Sequence, residues 1–141
     1  MSTTQQRSSS MFNSADKVLK IGLVGNAIFS FLTGLALIIA HVPIAAYMGI
    51  ADSRILFGIG MILWPFAVHL GLASRRKTVR RSEIYYLSAL DGAWVVGSAA
   101  ILLGGLVPFT TAGVWIFAWV ALMVADFMAM QLWGVRRLEF V

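Results

Sequence analysis

Four polar side chains fall inside stretches of sequence that are otherwise apolar. They are Asn26, His69, Asp91 and Asp126. An aspartate near the centre of a membrane helix costs about 2.5–3.5 kcal/mol on an insertion scale, so it rarely faces lipid. Groups of these types inside a membrane relay protons, coordinate cations or bind polar ligands. We therefore take these residues as the candidate site.

Hydroxyl side chains accompany Asn26 and Asp91 at helical spacing, which places them on the same helix faces. This supporting stripe consists of Ser30, Thr33, Ser88 and Ser98. With the spans arranged antiparallel, all the candidate residues lie on the order of 10 Å from the same membrane surface. The spacing predicts one polar layer to which each span contributes one group.

Two interpretations of this layer stay open. Polar contacts between membrane helices often only tie the helices together, at about 0.6 kcal/mol each. The functional alternative is a site for an ion, a proton or a polar ligand. His69 has an alternative of its own, because it lies close enough to the headgroups to be an ordinary interfacial histidine.

Catalytic and cofactor chemistry is not predicted. The sequence has no P-loop, dinucleotide-binding or zinc-protease motif, so we predict no catalytic residue, metal site or cofactor. His41 and His69 fall near opposite surfaces of the membrane, too far apart to ligate one haem iron. The absence of cysteine excludes disulfides and thiolate metal sites.

The elements that must position these residues are apolar helices. The chain has 141 residues, of which 60% are apolar and 12% charged, with a mean hydropathy of +0.85. A soluble domain of this size cannot bury so much apolar surface. Stretches long enough to cross a bilayer are predicted at about 18–40, 53–73, 84–106 and 111–133. The predicted fold is an all-α, antiparallel transmembrane bundle spanning 17–135.

The two ends of the chain differ in composition from the spans. Residues 1–16 are rich in Ser, Thr and Gln and predict a disordered polar tail. The first apolar run is too long for a signal peptide, so we expect helix 1 to stay in the mature protein. Residues 136–141 predict a short basic tail.

Basic residues predict the orientation. The connection between the second and third spans carries the largest cluster: Arg75, Arg76, Lys77, Arg80 and Arg81. The positive-inside rule then places the 74–83 loop and both termini in the cytoplasm. The net charge of +5 is thereby explained without nucleic acid, and the loop is expected to contact anionic lipid headgroups.

An internal similarity appears when the sequence is shifted by 65 residues. Asn26 then aligns with Asp91, Thr33 with Ser98, and Pro43 with Pro108. A duplicated two-helix hairpin would produce this pattern, and so would chance similarity between two apolar helices.

The first and third spans resemble those of a loose group of small bacterial integral membrane proteins with four helices. The resemblance is carried by "GNAIFSFLTG", with Asn26, Ala27, Phe29, Ser30, Thr33 and Gly34, and by "LDGAW", with Asp91 and Trp94. It covers the membrane core and implies a four-helix fold in the bacterial inner membrane. It implies no activity.

These observations favour a non-enzymatic membrane protein: an accessory, scaffold or oligomer-forming component whose partners are the bilayer and either further copies or a larger complex. One alternative is transport of a proton, cation or small solute, with Asp91 and Asp126 as the titrating or coordinating groups and Asn26 and His69 supporting them. Another is a lipid- or quinone-binding membrane enzyme that uses the same polar layer.

Overall fold

The computed structural model describes residues 3–77 and 79–139. Within them the chain forms four α-helices and no strand. The helices are α1 (Thr3–Met48), α2 (Ser53–Arg75), α3 (Arg81–Gly104) and α4 (Thr111–Glu139). Each is long and apolar enough to cross a membrane. The predicted all-helical architecture with four spans of membrane length is confirmed at this level.

The first helix is longer at its start than the sequence predicts. It begins at Thr3, so helix extends through most of the segment that composition predicts as a disordered tail. Residues 1 and 2 of that segment lie outside the described part of the chain. The physical reason is that no Gly or Pro precedes Gly22. Once the apolar span has formed a helix, each further residue adds a backbone hydrogen bond at little cost.

The same helix continues past its predicted end through a kink. Ala40 has non-helical dihedral angles, φ −118° and ψ 25°, and Pro43 follows three residues later. Proline lacks an N–H and its ring clashes with the carbonyl four residues before it, which bends a helix without always ending it. The predicted break therefore appears as a bend inside α1.

The other helix ends are set by local chemistry. The Asp52 carboxylate caps α2 by accepting a hydrogen bond from the Arg54 backbone N–H at 3.0 Å, and this bond lowers the pKa of Asp52. Gly105 ends α3 in the left-handed conformation, with φ 60°. At its far end α4 runs on to Glu139, through part of the predicted basic tail, of which residues 140 and 141 lie outside the described chain.

Packing orders the helices as α2–α1–α4–α3. We call one end of the bundle the basic end. It carries the loop between α2 and α3, together with Arg136 and Arg137. At the opposite end, the backbone N–H of Thr110 donates to the Met48 carbonyl at 2.9 Å and ties α1 to the start of α4. Each neighbouring pair in this order packs closely, whereas α2 and α3 have no extensive contact.

A cluster of buried apolar side chains fills the basic end of the bundle. All the helices contribute to this apolar cluster, which consists of Leu19, Leu23, Leu70, Ala73, Ile84, Leu87 and Val135. Leu23 lies one turn before Asn26, and Leu87 one turn before Asp91. The apolar cluster therefore separates the buried polar residues from the basic end.

Candidate polar site between the helices

The candidate site is built around a hydrogen bond between α1 and α3. The Asn26 side chain donates from Nδ2 to Oδ2 of Asp91 at 2.7 Å. Asn26 is fully buried and Asp91 is 3% exposed. A buried carboxyl needs hydrogen-bond partners because it has left water behind. These two predicted residues are therefore brought together by the fold.

A glutamine on α4 completes the contact. Gln131 is fully buried and donates from Nε2 to the same Asp91 oxygen at 3.2 Å. Its own Oε1 accepts a hydrogen bond from Ser88 at 3.4 Å. Asp91 is thus joined to α1 and to α4, and the network of Asn26, Ser30, Ser88, Asp91 and Gln131 links three helices.

Gln131 was missed by the sequence analysis. A usable signal was present, because Gln131 is an amide inside an otherwise apolar span, as Asn26 is. Gln131 lies on the face of α4 opposite Trp115, Trp119 and Asp126. That face packs against glycines of α1: a Cβ added at Gly22 would lie 3.4 Å from Gln131. Small residues on one helix allow a longer polar side chain on its neighbour to reach inward.

The supporting stripe divides between the network and its surroundings. Ser30 donates to Oδ1 of Asn26 at 3.1 Å, which leaves the Asn26 amide nitrogen directed at Asp91. Ser88 bonds to Gln131, as described. Thr33 is half-buried and Ser98 is buried farther along α3, and neither has a hydrogen bond to the network.

His69 lies outside the network. Its Nε2 atom is 2.9 Å from Oε1 of Glu83, and the Arg76 guanidinium donates to the other Glu83 oxygen at 2.9 Å. His69 remains 45% exposed. His69 does not bond to Asn26 or Asp91, because its ring nitrogen is engaged by Glu83 in the first turn of α3. The interaction instead joins α2 to α3 at the basic end.

Asp126 lies on the exposed face of α4 and makes no hydrogen bond to any residue in the described part of the chain. The sequence grouped it with Asp91 by depth along the helix. The depth of a residue in the membrane does not determine the side of the helix on which it lies. The side of α4 that packs against α1 carries Gln131 and Phe127 instead of Asp126. Within one chain, the two aspartates are therefore not part of one cluster.

The basic loop residues stand at the surface. Arg75, Arg76, Lys77, Arg80 and Arg81 are all exposed. Arg81 also donates to the Leu138 carbonyl at 3.2 Å, which connects the start of α3 to the end of α4. The side chains are placed where they can contact anions beyond the end of the bundle.

A cavity of about 630 Å³ opens beside the polar network. Side chains of all the helices line it, and most of them are apolar. Ser30, Thr33, His69, Tyr86 and Asp91 are among the lining residues that carry polar groups. The arrangement can hold an apolar molecule and offer it a hydrogen bond from a polar side chain.

Comparison with protein families, with curated proteins and with solved structures finds no match for this chain. The resemblance to small four-helix bacterial membrane proteins accordingly stays a prediction.

Proposed function

We propose that the protein is a non-enzymatic, multi-pass component of the bacterial inner membrane that works as an oligomer, with α4 as the contact between copies. The observation that carries the proposal is Asp126, an acidic side chain on the exposed face of a membrane-spanning helix. An aspartate facing lipid costs about 2.5–3.5 kcal/mol at the centre of a membrane helix and less toward the surface. A protein partner that covers it removes most of that cost.

The residues around Asp126 have the spacing of a helix-pairing surface. Exposed positions recur at alternating intervals of four and three along α4, which is the repeat of a left-handed coiled coil. This α4 seam consists of Trp115, Trp119, Leu122, Asp126, Ala129 and Trp133. Trp115 is 73% exposed and Leu122 is 68% exposed.

A second copy of the same chain is the occupant that this pattern favours. Two copies inserted in the same direction place their α4 helices parallel, so that the seam faces itself across a two-fold axis. Asp126 then meets its counterpart, and the two carboxyls hydrogen-bond to each other when at least one carries a proton. Polar contacts of this kind contribute about 1–2 kcal/mol in model membrane helices.

Cysteine cross-linking in membranes tests the proposal, because the natural chain has no cysteine. We expect a Leu122→Cys variant to form a disulfide-linked dimer. The matched control is Ile62→Cys on α2, which is 71% exposed but lies off the seam and should stay monomeric. Equal cross-linking at both positions would mean random collision and would contradict the proposal.

Asp126 itself is tested in the Leu122→Cys background. Asp126→Leu should lower the association constant by about tenfold, since it removes a contact of about 1–2 kcal/mol. Asp126→Asn keeps a hydrogen-bonding side chain and should retain most of the dimer. Unchanged cross-linking in the Leu variant would show that Asp126 does not hold the copies together.

The orientation belongs to the same proposal. The basic loop, the N-terminus and the C-terminus are assigned to the cytoplasm, with the loop against anionic headgroups. At the opposite end of the bundle, Arg54 in the first turn of α2 is the basic residue, and it pairs with Asp52 at 3.2 Å. The difference in charge between the two ends supports this direction.

Transport through the polar layer has less support than oligomer formation. The Asp91 network is separated from the basic end by the apolar cluster. Its two amides each donate to Asp91, and their oxygens accept hydrogen bonds from Ser30 and Ser88. A path for a hydrated ion would have to open through side chains that are packed together in this structure.

A further inference from the structure

The gap between α2 and α3 differs from the other helix neighbourhoods. Near the basic end the two helices meet through His69 and Glu83, whose side chains are 2.9 Å apart. Beyond that contact they separate, and the cavity of about 630 Å³ lies among them, α1 and α4. Apolar side chains dominate its wall, among them Phe29, Leu37, Ile59, Phe66 and Trp94. This α2–α3 cleft has a size that is usual for small-molecule sites.

One of the two carboxyl oxygens of Asp91 has no hydrogen-bond partner in the cleft. Asp91 is 3% exposed and lines the cleft, and both of its hydrogen bonds, from Asn26 and Gln131, go to Oδ2. Oδ1 has no hydrogen bond to any residue in the described ranges 3–77 and 79–139. Because the cavity reaches Asp91, this oxygen is accessible from the cleft rather than enclosed by protein. A molecule in the cleft can supply the missing hydrogen bond.

We propose that the α2–α3 cleft binds one amphiphile drawn from the bilayer: an apolar chain or ring system bearing a hydroxyl group that hydrogen-bonds to Oδ1 of Asp91. A hydroxyl is the group that fits, because it can donate to an ionised carboxylate and can accept from a protonated one. The apolar remainder of the molecule lies along the aromatic and aliphatic wall.

A bilayer amphiphile suits the cleft better than a helix does. A membrane-spanning helix from another protein is about 10–12 Å wide and about 30 Å long. The His69–Glu83 contact closes the basic end of the cleft, so a spanning helix cannot pass along its whole length. A molecule whose length is less than the thickness of the membrane can enter from the open side. It then stops at the His69–Glu83 contact.

Trp94 provides a local fluorescence signal for binding. The chain has five tryptophans, and Trp94 is the one that lines the cleft. Bromine quenches tryptophan fluorescence at short range. The probe is 2-bromo-1-undecanol, whose bromine lies next to the hydroxyl and therefore close to Trp94, one helical turn from Asp91. The matched probe without a hydroxyl is 2-bromoundecane, and each is added to the protein in nanodiscs. We expect the alcohol to quench the fluorescence saturably, and we expect this quenching to be lost in Trp94→Phe. The apparent affinity for the bromoalkane should be about tenfold weaker than that for the alcohol.

Variants separate the hydroxyl contact from the apolar wall. Asp91→Leu should abolish the preference for the alcohol over the bromoalkane. Ile59→Phe fills the cleft without touching the polar network, and should weaken binding of both probes by a similar factor. This second variant keeps the test decisive if Asp91→Leu fails to fold. Equal affinity for the two probes in the natural protein, or quenching that rises linearly without saturation, would overturn the proposal.

Competition identifies the source of the hydroxyl. Dioctanoylglycerol represents glycerolipids and decylubiquinol represents isoprenoid quinols. The one that displaces the brominated alcohol identifies the class of natural occupant. Failure of both to displace it would contradict a bilayer amphiphile as the ligand. None of these readouts depends on association between copies, so failure here is distinguishable from failure of the α4 seam.

Discussion

Asp91 is held by amides from two other helices, and this explains how an acidic residue is accommodated inside α3. Asn26 and Gln131 both direct an N–H group at Oδ2. Hydrogen bonds to a carboxyl in a medium of low dielectric constant are stronger than the same bonds in water. Ser30 and Ser88 hold the amide oxygens of the two partners, so the orientation of each amide is set by a second hydrogen bond.

A double-mutant cycle measures the contact between Asn26 and Asp91. The free energy of unfolding is measured in bicelles for the natural protein, for Asn26→Ala, for Asp91→Ala and for the double variant. We expect a coupling energy of about 0.5–2 kcal/mol, because each single substitution leaves the other side chain with fewer partners in a buried place.

The control pairs Asn26→Ala with Ser98→Ala. Ser98 is buried on the same helix as Asp91 but lies about 10 Å further along it. These two substitutions should be additive within about 0.5 kcal/mol. Coupling of the same size in both cycles would mean that the Asn26–Asp91 hydrogen bond is not a specific link between α1 and α3.

At the level of side chains, the sequence indicated which groups are costly in a membrane but not which way each one faces. Asn26 and Asp91 were singled out because polar groups in apolar spans need partners, and they do bond to each other. Asp126 was grouped with them from its depth alone. The direction in which Asp126 points depends on which side of α4 packs against α1. Packing at Gly22 and Gly25 decides this, and the periodicity of the sequence does not reveal it.

At the scale of helices, α1 and α2 cross at two glycines. A Cβ added at Gly60 would lie 2.8 Å from the Gly34 carbonyl oxygen, and one added at Gly34 would lie 3.1 Å from the Gly60 carbonyl oxygen. Small residues at such a crossing let two backbones approach closely, and this contact is a main source of association between helices in lipid.

Gly60→Ala should therefore destabilise the protein by about 1–3 kcal/mol, because the obstructing atom belongs to the backbone and cannot rotate away. Gly58→Ala, two residues earlier on α2, is the matched control. It has open space around its Cβ position and should leave stability unchanged or raise it by up to about 1 kcal/mol through helix propensity. Thermal unfolding in mild detergent measures both variants. Equal stability of the two would contradict a close crossing.

The helices themselves were largely predictable, and their ends were not. Runs of apolar residues indicate how much of a helix lies in hydrocarbon. The backbone continues its hydrogen bonds beyond that layer wherever no residue stops it, as at Thr3 and Glu139. The end of α3 was close to its predicted place because Gly105 adopts a left-handed conformation there.

At the scale of the whole molecule, the charges are distributed unevenly between the two ends. Five basic residues between Arg75 and Arg81, together with Arg136 and Arg137, lie at the basic end. The positive-inside rule uses such a difference to predict the direction of insertion, because basic segments are translocated with difficulty. The α2–α3 cleft, which the sequence did not predict, arises from helix order, since two helices adjacent in the chain need not pack along their whole length.

Labelling of single cysteines tests the direction of insertion, and the cysteine-free chain needs no prior substitution. Ala51→Cys and Lys77→Cys each replace an exposed residue in a connection between helices, at opposite ends of the bundle. The reagent is a membrane-impermeant maleimide added to bacterial spheroplasts, whose inner membrane is intact. If the basic end lies in the cytoplasm, the maleimide should label Ala51→Cys and leave Lys77→Cys unreacted. Permeabilisation should then expose Lys77→Cys to the reagent. The reverse pattern would place the basic loop outside, and the charge difference would then have to be explained by something other than insertion.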